Sequence, residues 1–133
     1  MTSFVDSLSG TEKTLINKLR KTILSSDSAV IESPGKIMGA NDALCYKEND
    51  VMKYGLARTA LGFTFHSMVM YANPDIAQFV KANLTSIKLQ KGCFNIPALS
   101  ALDQNAFEQM MSLSAKKDFQ PVIDHYKTKA GRK

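Results

Sequence analysis

Three side chains combine nucleophilic or metal-ligating chemistry with a strand-like setting. They are Cys45 in Leu44-Cys45-Tyr46, His66 in Phe65-His66-Ser67 and Cys93 in Gly92-Cys93-Phe94. Brought together, they would offer a thiol with an imidazole base, or soft ligands for a metal ion. No close pair such as Cys-x-x-Cys and no fourth ligand accompanies them, so the expectation is two buried thiols and one half-exposed imidazole. Catalytic residues, a metal set and a cofactor are accordingly not assigned. His125, beside the basic end of the chain, reads as a surface or capping residue.

Lys88-Leu89-Gln90-Lys91-Gly92 is the second constellation. Two ammonium groups beside a permissive glycine suit a phosphate. The stretch follows a helical pattern instead of preceding one, and P-loop spacing is absent. A helix-to-strand turn is the simpler reading. The third constellation is aromatic. Tyr46, Tyr54, Phe63, Phe65 and Phe94 lie on strand candidates near Lys47, Lys53, Arg58 and Lys88, an arrangement open to a base-stacking platform for single-stranded nucleic acid. Alternating aromatics usually belong to a core, and no RNA-recognition signature is present. The residues chosen as ligand-binding candidates are Lys88, Lys91, Tyr54 and His66, around a cleft between sheet and helices.

These residues need elements to carry them. Ser9-Gly10-Thr11-Glu12 has the form of a capping box, and Leu15, Ile16, Leu19 and Ile23 share one face of a helix over about Thr11–Ser25. Its lysines and arginine read as a solvated face. Ala29–Glu32 is a short apolar run of undecided type. Lys36–Met38, Ala43–Lys47, Val51–Ala57 and Phe63–Met70 then alternate with turn-like groups at Gly39–Asp42 and Glu48–Asp50, the pattern of an antiparallel meander. Asn73-Pro74-Asp75 starts a helix over about Pro74–Asn83. Cys93–Ile96 is a further strand. Ser100 or Asp103 opens another helix with Phe107, Met110, Met111 and Leu113 inward, and Asp118 opens a last one with Val122, Ile123 and Tyr126 along one side.

The totals narrow the class. At 133 residues the chain reads as one domain, residues 1–133, able to bury a core without disulfides. No apolar run is long enough to span a bilayer, and no signal peptide is visible, so a cytoplasmic protein with no membrane partner is expected. The net charge of +5 is compatible with nucleic acid, but much of the excess sits in a basic tail from about residue 127. Seven methionines suit core filling, an adaptable groove or the pairing face of a homodimer.

In this order the motifs resemble the YdhG-like family of domains of unknown function. Gly62–Met68, Pro74–Leu84, Lys88–Gly92 and Cys93–Ile96 match the family's strand, helix, Lys-x-x-Lys-Gly turn and strand, and the likeness covers roughly Leu15 to Leu113. The resemblance implies a compact α+β fold and a cytosolic bacterial setting, with no established reaction. A frataxin-like iron-handling role is attached to some relatives. Iron delivery calls for clustered carboxylates, whereas the twelve acidic residues here are scattered. The resulting expectation is an α+β domain: an antiparallel sheet of about five strands, helices on one face, acting as a binding or accessory module for a small anionic ligand or a protein. A weak nucleic-acid-binding domain is the alternative.

Overall fold

Residues 8, 10–37, 40–59, 62–84, 93–96 and 101–131 are described in the computed structural model. The first helix, α1 (Gly10–Ser26), buries Ile16, Leu19, Thr22 and Ile23 and leaves its lysines outside. Ser9 lies outside the described residues. Glu12, its expected capping-box partner, pairs with Arg58 at 3.2 Å. Four strands follow: β1 (Ile31–Ile37), β2 (Ala40–Glu48), β3 (Val51–Thr59) and β4 (Gly62–Ser67). The undecided run at Ala29–Glu32 thus leads into β1. Of the turn expected at Gly39–Asp42, Gly39 lies outside the described residues and Ala40–Asp42 already belong to β2, where Ala40 pairs with Ile37.

β4 ends earlier than alternation predicts. Ser67 is the last residue of β4, and its hydroxyl accepts the Met70 amide at 3.0 Å, capping a short helix, α2 (Met68–Ala72). Met68–Met70 are therefore helical and not strand. The Asn73 side chain donates to Val69 O at 2.9 Å and closes α2. It makes no side-chain cap for the next helix, α3 (Pro74–Asn83), which begins on Pro74 as expected. The chain continues with β5 (Cys93–Ile96), α4 (Ala101–Ala115) and α5 (Gln120–Gly131). Leu113, expected inward on α4, is 39 % exposed, and Ser114 is buried in its place.

The strands form one antiparallel sheet in sequence order, β1-β2-β3-β4-β5. Together with the helices at both ends this is the expected α+β class. Residues opposite one another across antiparallel strands share a face. Leu44, Leu56, Phe65 and Phe94 form one such row, and all four belong to the main core with Ile16, Leu19, Ile76, Val80, Phe107, Met110 and Ile123 from the helices. Phe65 sits 5.3 Å from Phe94 and 5.2 Å from Phe107, the latter edge-on, which locks α4 to the sheet. The five aromatics proposed for base stacking lie in this core at 0–1 % exposure, so they form no platform. Met110 and Met111 are also fully buried, which removes them from any pairing surface.

A bulge interrupts the β2–β3 ladder. Tyr46 opposes Tyr54 and Lys47 opposes Met52, so Lys53 is the extra residue. The kink turns Lys53 into the helix side, where it is 2 % exposed. There its ammonium pairs with Asp27 Oδ2 at 2.7 Å and Glu48 Oε1 at 2.9 Å. The Tyr54 hydroxyl donates to the same Asp27 oxygen at 2.8 Å. Asp27 Oδ1 accepts the Ala29 amide, which turns the chain from α1 towards β1. Replacing Lys53 by Met should leave a buried carboxylate without its cation and cost about 3–5 kcal/mol. Urea unfolding of that variant beside Lys53→Met/Asp27→Asn checks this: the double variant should lose less than the sum of the singles.

On the other face Gly35 lies against β2. A Cβ there would stand 2.7 Å from Cys45 Sγ. Gly35→Ala should destabilise by about 1–3 kcal/mol. Adding Cys45→Ala should recover part of the loss in the same unfolding measurement.

Candidate functional site

The face of the sheet away from the main core carries Ala43, Cys45, Ala57, Thr64, His66, Cys93 and Asn95. Ala43, Cys45 and Ala57 form a small cluster of their own, with Met52 packed against it. Register places Cys45, Gly55, His66 and Cys93 in one row across β2 to β5. His66 and Cys93 are therefore direct neighbours, about 5 Å apart between strands. Gly55 separates Cys45 from His66, putting that thiol about 10 Å away along the row. The two cysteines, three strand spacings apart, are beyond disulfide reach, and both are thiols.

Burial pushes both thiols up from their ordinary value, with Lys47 opposing this slightly at Cys45. That favours the unreactive protonated form over a thiolate nucleophile. Burial also pushes the His66 imidazole down, and its Nδ1 has no hydrogen-bond partner among the described residues. Among the described residues, no three His, Cys, Asp or Glu side chains gather as metal ligands.

Of the ligand-binding candidates, Lys88 and Lys91 lie outside the described residues. Tyr54 is in the core, its hydroxyl engaged by Asp27, and its phenol is pushed far up by burial and by the Asp27 carboxylate. His66 occupies the opposite face. Tyr54 pairs with Ser67 and His66 with Gly55, one position out of phase, so the sheet itself keeps these two side chains apart. The expected cleft between sheet and helices is filled by the aromatic core.

Open space is found elsewhere. A groove of about 680 Å3 runs between α1 and α4, lined by Lys18, Lys21, Thr22, Ser25, Ser26, Gln104, Glu108 and Ser112. Gln104 spans it: its Nε2 donates to Thr22 Oγ1 at 3.2 Å and to Glu108 Oε2 at 2.9 Å. Its Oε1 is buried without a hydrogen-bond partner among the described residues. Arg20, Lys53, Arg58 and Lys117 all have carboxylate partners, whereas Lys18 and Lys21 have none among the described residues.

No family model, curated protein or solved structure matches the chain.

The geometry is therefore what characterises the groove. Two ammonium groups and four hydroxyls line the same space, beside the Gln104 amide. Such a set suits an anion that also carries hydroxyl groups. Sequence reading assigned these lysines to a solvated face. The signal that would have found them is the spacing of Lys18, Lys21, Thr22 and Ser25, which recur along one side of a helix. Its partner stripe on α4 is invisible until the two helices are packed.

His66 makes the stability of the fold depend on pH. Below about pH 6.5 the unfolded imidazole takes up a proton that the buried one resists, so the unfolded state binds more protons and stability falls as pH drops. Urea midpoints at pH 7.5 and 5.5 should show this loss, and His66→Gln should reduce it. Equal losses in both proteins would show that His66 does not carry the effect.

Proposed function

We propose that the chain is a small binding module that takes a hydroxyl-bearing phosphorylated compound in the groove between α1 and α4. The observation that carries this reading is the convergence of Lys18 and Lys21, neither in an ion pair among the described residues, with the hydroxyls of Thr22, Ser25, Ser26 and Ser112 along one groove. Lysine ammoniums bind phosphate as point charges. The hydroxyls of Thr22, Ser25, Ser26 and Ser112 and the carboxylate of Glu108 match sugar-like hydroxyls, which both donate and accept. The volume falls within the range of small-molecule sites. Kinship with the YdhG-like family and a cytoplasmic setting belong to the same proposal, resting on the Asn73-Pro74-Asp75 helix start and the order of elements around it. For the described residues, no helix is long and apolar enough to cross a membrane.

Amide resonances of α1 and α4 followed by NMR test the reading, with ribose 5-phosphate, ribose and inorganic phosphate as probes. Ribose 5-phosphate should bind more tightly than either part. Lys18→Gln and Lys21→Gln should each weaken it by about tenfold at low salt, and added salt should weaken it further. Shifts absent from both helices at millimolar probe would reject the groove as the site. Nucleic acid is less well supported, since the aromatics that would stack bases are in the core.

A further inference from the structure

A second concavity, sharing no residue with the groove, lies at the end of the sheet marked by the β2–β3 turn. It has a volume of about 450 Å3 and is lined by Asp50, Val51, Met52, Met68, Tyr126 and Lys127. Its walls are mainly apolar: two methionines, a valine and a tyrosine ring that is 39 % exposed. Asp50 and Lys127 stand at it with opposite charges. Neither makes an ion pair or a side-chain hydrogen bond among the described residues, with each other or with any other group.

The placement of Asp50 is fixed by the backbone. Glu48 pairs with Val51, leaving a two-residue turn whose members Asn49 and Asp50 have φ values of 51° and 66°. That is the geometry of a tight hairpin turn whose twist matches the strands, and Asn and Asp tolerate it well. Lys127 comes from α5, whose docking is set by Phe119 and Ile123 in the core. Two separately anchored elements therefore present one carboxylate and one ammonium at an apolar hollow.

From this pairing we infer that the hollow binds a hydrophobic α-amino acid. The apolar side chain would lie among Val51, Met52, Met68 and Tyr126, its ammonium facing Asp50 and its carboxylate facing Lys127. A fatty acid satisfies Lys127 and leaves its anionic head facing Asp50 as well; an alkylamine meets the converse problem at Lys127. A zwitterion answers both charges. The volume lies in the lower part of the range for small-molecule sites. Methionine walls adapt to several apolar shapes, so the selectivity is for a class, in which leucine, methionine and phenylalanine should all bind.

Calorimetry and NMR on the intact chain test this with L-leucine and two blocked analogues. N-acetyl-L-leucine lacks the ammonium, and L-leucinamide lacks the carboxylate. L-leucine should shift the resonances of Val51, Met52, Met68 and Tyr126, and each analogue should bind about tenfold more weakly. Asp50→Asn should weaken L-leucine and not N-acetyl-L-leucine, which loses a repulsion; Lys127→Gln should weaken L-leucine and, for the same reason, not L-leucinamide. Both replaced side chains are exposed and unpaired, so melting temperatures should stay at the wild-type value. The analogue comparison needs no variant. Equal affinity for all three compounds, or no shift at these residues with any of them, overturns the inference. Neither result bears on ribose 5-phosphate at the other groove.

Discussion

Two tyrosine hydroxyls in the core are the constraint on which the arrangement of helix and sheet depends. Tyr46 and Tyr54 face each other across β2 and β3, both fully buried. A buried hydroxyl without an acceptor is costly, so each must find one. Tyr54 donates to Asp27, which ends α1, and Tyr46 donates to Glu32 at 2.7 Å, near the start of β1. Each carboxylate in turn needs a cation. Lys53 answers Asp27, and Arg20 grips Glu32 through two hydrogen bonds of 2.7 and 3.0 Å. Breaking one link strands the next.

The two sets differ in how they supply the cation. Arg20 comes from α1 and, partly buried, reaches Glu32 on the edge strand β1. At Glu32 burial is the largest single influence and pushes the carboxyl up, yet the hydrogen bonds from Arg20 and Tyr46 outweigh it and hold the group low. Lys53 is delivered from the middle of a strand, which only the bulge makes possible, and lies against the rings of Tyr54 and Phe119. The bulge thus serves the core and the approach of α5 together. By tying α1 to the sheet at both its middle and its end, the two sets also orient the polar side of α1 that meets α4 at the groove.

Much of the fold was legible locally. The Asn73-Pro74-Asp75 start, the inward face of α1 and the turn at Asn49-Asp50 each depend on residues a few positions apart, and all were placed within a residue or two. The α2 turn was missed because Phe63 to Met70 keeps alternating in sequence after Ser67 has capped a helix. Lys53 was read only as a cation beside the aromatic strands, and its burial went unforeseen because lysine is rarely buried. Nothing within a few residues of it announces Asp27, which is brought near only by the sheet.

The sequence by itself determined the class of elements and their order, since helical and strand periodicities and turn residues act over short separations. It also determined that the aromatics belong together, because they alternate on successive strands. Only the tertiary structure decided which face each chemically interesting residue occupies, because a shift of one position in register moves a side chain to the other side of the sheet. Tyr54 went to the core and His66 to the opposite face for that reason. The groove of Lys18, Lys21 and Gln104, and the hollow between Asp50 and Lys127, are likewise properties of elements far apart in the chain that packing brings side by side.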